Sequence, residues 1–176
     1  MKRSRTAYIS LLIILLLILP IGQSSVKKDI ELGPTVSGSV TDQIFNFNYT
    51  KAYEHIETQL DFGSRVPGTS GSNATKQFIR DQLSPIATIV NHEYLINEVP
   101  CTNIIAKMNV GKGPIIVFSG HFDNRKIAEK DLYPENRTKE TPGANDGAGS
   151  VAVVIELIKA VYPKLDKLNY EIWGVF

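Results

Sequence analysis

The chain has 176 residues, 43% of them hydrophobic and 21% charged, with a formal net charge of +1. That length and balance suit one ordinary core and exclude a disordered composition. Lysines and arginines are scattered, which excludes the basic footprint of a nucleic-acid binder and a polybasic membrane patch.

Lys2, Arg3 and Arg5 precede "AYISLLIILLLILPIG" (7–22), a run of about 16 mostly apolar residues broken by Pro20 and Gly22. A charged start, a short apolar run and small residues after it predict a secretory signal peptide over residues 1–25. An N-terminal anchor is the alternative, with membrane association through residues 7–21, although a span ordinarily needs about 20 apolar residues. Either reading places the rest of the chain outside the cytoplasm, secreted or membrane-anchored. Residues 26–48 carry Gly, Pro, Ser and Thr with no sustained period and are expected to form a flexible lead-in.

The folded body is expected to begin at Tyr49. Tyr53, Ile56 and Leu60 recur at helical spacing and Gly63 ends the run. After the turn "GSRVPGTSGS", Ser70 or Ser72 is expected to cap a second helix carrying Phe78, Ile79 and Leu83. The pattern then becomes β: "ATIVNHEYLI" (87–96), "TNIIAKMNV" (102–110) and "PIIVFSG" (114–120) are short β-branched runs separated by Gly and Pro. The third is apolar without alternation, as in a central strand covered on both faces. Cys101, the single cysteine, cannot form an internal disulfide and reads as a small strand-edge residue.

Beyond a polar loop, Val151, Val154, Ile155, Ile158 and Val161 mark an amphipathic helix to about Tyr162, and "YEIWGVF" is a last strand. This order predicts an α/β sandwich, with a parallel crossover between the strands on either side of the last helix. Ligands in such sheets sit beyond the carboxyl ends of parallel strands, where His121 stands.

Two segments carry candidate chemistry. His121 and Asp123 pair an imidazole, a good zinc ligand, with a carboxylate able to take its second N–H; a plain strand-end histidine is the other reading. In "TPGANDGAGSVAVVIEL", Asp146 lies between a Pro-Gly turn and a Gly-rich helix start, and Asn145 or Asp146 would equally serve as a helix cap. A phosphate loop is disfavoured because GxGxxG and the Lys-Ser/Thr pair are missing and a carboxylate repels an anion. His55 and His92 read as structural, on the first helix and an early strand.

From Tyr49 to Phe176 the segments "LDFGSRVPGTSGSNATKQFIRDQL", "TNIIAKM", "IIVFSGHFD", "TPGANDGAGSVAVVIELIKAV" and "YEIWGVF" resemble, in order and spacing, the co-catalytic zinc aminopeptidases of the secreted bacterial and vacuolar type, whose relatives include glutaminyl cyclases. The resemblance implies a three-layer α/β sandwich with a mixed central sheet flanked by helices, of which residues 49–176 are the N-terminal portion. It implies a peptide substrate and two zincs. His121 then matches a ligand of one zinc, Asp146 the carboxylate bridging both, and Asp123 the carboxylate orienting the histidine. The family's general-base Glu and its remaining ligands are expected after Phe176, so no catalytic residue is assigned within this chain and it should be inactive as it stands. Gly147 stands where many relatives have an acidic or amide residue, which favours a looser helix start. "PGAND" is closer to the aminopeptidases than to the cyclases, which bind one zinc. A non-catalytic ectodomain of the same fold and a glutaminyl cyclase-like acyltransferase are the alternatives.

Overall fold

The structure is a computed structural model that describes residues 45–176. The expected signal peptide or anchor (1–25) and most of the lead-in (26–44) lie outside the described residues. No helix among the described residues is long and apolar enough to cross a membrane.

Helix α1 (Tyr49–Asp61) starts at Asn48, whose side chain accepts from Lys51 N. Its inward face is not the expected one. Tyr53 is 68% exposed, Ile56 and Leu60 are half-buried, and the buried residues are Ala52, His55 and Gln59. The reason is polar packing on the later helix and the turn before it: His55 Nε2 lies 2.9 Å from Glu156 Oε1, and Gln59 donates to the Ala148 carbonyl at 3.1 Å. Helix α2 (Ser70–Leu83) is capped by Thr69 rather than Ser70 or Ser72; the Thr69 side chain accepts from Ser72 N.

Strands β1 (Thr88–Ile96) and β2 (Val99–Met108) form an antiparallel hairpin turned through Asn97 and Glu98, both at positive φ. Strand β3 (Ile115–Ser119) follows, then a long loop, helix α3 (Ser150–Val161) and strand β4 (Glu171–Val175). The sheet order is β1-β2-β4-β3, with β4 antiparallel to β2 and parallel to β3, so the sheet is mixed and the fold is α/β. The parallel β3–α3–β4 crossover stands where the sequence places it.

Strand β3, expected to be central, stands at the edge of the described sheet. Among the described residues it pairs only with β4, and Ile115 and Val117 are half exposed. An unalternating apolar run signals that neither face is polar; it does not say that both are covered.

Burial alternates along β2 and β4. Ile104, Ala106, Met108 and Ile172 turn inward with Phe176 against Ile79, Leu83, Val151, Val154, Ile155, Ile158 and Val161. Burying a side chain of this size contributes about 1.5–3 kcal/mol, so this face holds the sheet to α2 and α3. Ile105, Lys107, Trp173 and Val175 point the other way, with the Lys107 ammonium 4.1 Å from the Trp173 ring centre.

Candidate metal centre

The β3 chain leaves the sheet at Ser119, with Gly120 N donating to the Val175 carbonyl, and His121 follows two residues beyond the strand end. Phe122 turns into the core, so its neighbours His121 and Asp123 turn outward. His121 Nδ1 lies 3.1 Å from the Asp123 carbonyl and 3.2 Å from Asp123 Oδ1, both acceptors. The ring proton is therefore drawn to Nδ1, which leaves the Nε2 lone pair free.

Nε2 faces Asp146 Oδ1 at 3.5 Å. Asp146 is brought there by a wide turn, Ala144–Gly149, that breaks helical geometry at Asp146 (φ −83°, ψ 86°) and Gly147 (φ 103°). Gly147 makes this possible: a Cβ there would lie 2.6 Å from the Asp123 carbonyl oxygen. The break in helical geometry at Asp146 and Gly147 is in keeping with the expected looser helix start. Gly147 is buried, and its missing side chain lets the two ligand-bearing segments touch.

The capping alternative for Asp146 does not hold either, because neither the wide turn nor α3 has a side-chain cap hydrogen bond. Ser150 ties the two segments instead, its hydroxyl lying 3.0 Å from the His121 carbonyl and 2.8 Å from that of Gly147. The side chains of His121, Asp123 and Asp146 are 56%, 53% and 45% exposed, so all three are open to solvent.

This donor set fits zinc. Two ligands about 2.1 Å from a tetrahedral zinc stand about 3.4 Å apart, close to the 3.5 Å between Nε2 and Oδ1. That is too long for a hydrogen bond. His121 is presented in the tautomer a metal takes, with its other nitrogen held by a carboxylate. Asp146 Oδ2 lies 3.8 Å from Arg125 Nε, and Arg125 is itself paired with Glu129 at 2.5 Å. No group of three or more His, Cys, Asp or Glu able to hold a metal occurs among the described residues, whereas a catalytic zinc usually takes three protein ligands.

A cavity of about 270 Å³ opens beside His121 and Asp123, walled by Lys76 of α2 and by Tyr94, Cys101 and Phe176. Neither of the other histidines joins the centre. His55 is buried on Glu156, and burial pushes its pKa below the ordinary value, with the Glu156 hydrogen bond opposing. His92 stacks on Tyr94 in β1 and faces Asn103 at 3.3 Å.

Sequence reasoning missed Arg65, Asn124 and Ser150. Arg65 is fully buried and gives all its side-chain hydrogen bonds to carbonyls around the centre. Burial lowers its pKa, while the charges of Asp146 and Asp123 oppose that. The one available signal was a cation inside the turn "GSRVPG", where an exposed arginine is the ordinary expectation.

Residues 103–175 match Peptidase family M28. The fold is similar to glutaminyl cyclase from Tannerella forsythia, at 27% identity and a TM-score of 0.67 over 74% of this chain and 46% of that one. A leucine aminopeptidase precursor from Bacteroides thetaiotaomicron VPI-5482 is similar at 27% identity and a TM-score of 0.66, covering 76% of this chain and 48% of that one. A Zn-dependent exopeptidase from Parabacteroides distasonis ATCC 8503 shares the fold at 24% identity and a TM-score of 0.66, over 74% and 46%. The chain therefore resembles the zinc exopeptidase and glutaminyl cyclase group, as its motifs indicate, and spans just under half the length of these solved relatives.

Proposed function

We propose, with the match to Peptidase family M28 as premise, that this chain carries part of the metal centre of a zinc-dependent exopeptidase of aminopeptidase type, acting on N-terminal peptide bonds. His121 and Asp146 hold the metal, and Asp123 orients His121. The observation that supports this best is the 3.5 Å approach of His121 Nε2 to Asp146 Oδ1 while Nδ1 is engaged by Asp123. Zinc bound there would polarise the scissile carbonyl and lower the pKa of a water to about 7.

The chain's own residues have narrower tasks. Asp123 holds the proton of the neutral His121 ring on Nδ1, so that Nε2 presents a lone pair. Asp146 brings a carboxylate with two oxygens, and the family resemblance assigns it to two zincs. Two protein ligands are fewer than a catalytic zinc takes. We therefore assign metal binding to these 176 residues and peptide hydrolysis only to a protein that adds the missing ligands and a general-base carboxylate. Residues 1–25, with a basic start before an apolar run, are assigned to export.

Cyclisation of N-terminal glutamine is the second reading, favoured by the similarity to the Tannerella forsythia cyclase and by Arg125 standing on the second oxygen of Asp146. Equilibrium dialysis against zinc tests the metal assignment. Saturable binding that drops at least about 10- to 100-fold in His121→Ala and in Asp146→Asn is expected. Zinc uptake that ignores both substitutions would sink it. Amino-acid release from a peptide, against ammonia release from a glutaminyl peptide, then separates peptidase from cyclase in the complete protein.

A further inference from the structure

We infer that Arg65 is the positioning residue of the metal centre: its guanidinium ties the loop that carries His121 to the loop that carries Asp146. This rests on the reading of those two residues as ligands.

A fully buried arginine ordinarily pairs with a carboxylate. Arg65 is 0% exposed and makes no salt bridge among the described residues. Its bonds go to main-chain carbonyls of three separate segments. Nε donates to Phe122 O at 3.0 Å, Nη1 to Gln59 O at 3.3 Å and to Pro142 O at 3.1 Å, and Nη2 to Gly143 O at 2.6 Å. Phe122 stands between His121 and Asp123, and Gly143 stands three residues before Asp146. The fork thus grips both sides of the 3.5 Å gap from below.

A second strap runs parallel to the first. Arg65 N donates to Asn124 Oδ1 at 2.8 Å, and Asn124 Nδ2 donates to Thr141 O at 2.5 Å, so the buried Asn124 joins the same loops. Gly143 lets its loop lie against the guanidinium: it has φ +68°, and a Cβ there would be 2.5 Å from Nη2. Only a planar fork with several fixed N–H directions serves three segments at once. A lysine ammonium keeps the charge but radiates its donors from one point. The charge also has company, because Asp146 and Asp123 are the carboxylates that act on it. Arg65 therefore spaces the ligands and holds a fixed positive charge behind the two carboxylates.

The test is zinc titration of the whole chain in the wild type, Arg65→Lys and Arg65→Ala, with an NMR spectrum to establish folding and Co(II) in place of zinc for its d–d absorption. A folded Arg65→Lys is expected to bind zinc about 10- to 100-fold more weakly with a shifted Co(II) spectrum, since charge without the fork no longer spaces the ligands. In Arg65→Ala, millimolar methylguanidinium should restore part of the affinity. A residue that served stability alone would lower the melting temperature and leave the Co(II) spectrum in place. If the arginine variants do not fold, Asn124→Ala takes their place: weaker zinc binding in a folded protein supports the inference, and unchanged binding overturns it. Zinc affinity that depends on His121 but not on Arg65 or Asn124 overturns only this inference. Zinc affinity that does not depend on His121 overturns the metal reading and this inference together.

Discussion

Gly147 shows how one absent side chain sets the chemistry of its neighbours. At φ +103°, and with the Asp123 carbonyl 2.6 Å from where a Cβ would stand, alanine there must strain the backbone or push the two loops apart. Gly147→Ala is expected to cost about 1–3 kcal/mol in urea unfolding, and to weaken zinc binding because Asp146 moves away from His121. His55 makes a second expectation. Burial holds its imidazole below the ordinary 6.5, opposed by Glu156 and Glu54 and helped by Lys159. The folded state then takes the proton less readily than the unfolded state, so stability is full above 6.5 and falls as pH drops from 6.5 toward the lowered folded value. Chemical denaturation at stepped pH should show this slope in the wild type and a flatter one in His55→Gln. The places of His121 and Asp146, at a strand end and before a helix, made them candidates, and the family resemblance supplied the ligand reading. Arg65 could not, because a buried arginine and an exposed one look alike in a string of letters.

Among the elements, α3 was the most legible. Its apolar spacing named Val151, Val154, Ile155, Ile158 and Val161, and all of them are buried. The same rule misjudged α1, where the inward face is polar and held by His55 and Gln59. Periodicity counts apolar residues and cannot see a hydrogen-bonded face. The capping residue of α2 illustrates a one-residue ambiguity, since Thr69, Ser70 and Ser72 are all competent and only the backbone decides. Thr69 has extended geometry (φ −84°, ψ 162°) and accepts from Ser72 N, so Thr69→Ala is expected to destabilise by about 0.5–2 kcal/mol in thermal or urea unfolding. Ser70→Ala, at the first helical position, should change far less.

At the largest scale, the described residues pack one sheet face on helices and leave the other face and the β3 edge more open. Ile115 is 49% and Val117 51% exposed on a strand whose outer edge has no partner among the described residues. An apolar edge of this kind templates pairing with another chain. Val117→Lys is therefore expected to reduce aggregation during heating, read by light scattering. The alternation of helices and strands, the parallel crossover and the two segments that bear His121 and Asp146 were legible before any fold was known. Those features depend on local periodicity, turn chemistry and short motifs. Three-dimensional packing was needed to show which face of α1 is buried, that β3 lies at an edge among the described residues, and that Arg65 and Asn124 clasp the ligand loops. Those outcomes arise from contacts between residues 17 to 101 positions apart, whose geometry is set by packing and by where each buried donor finds its acceptor.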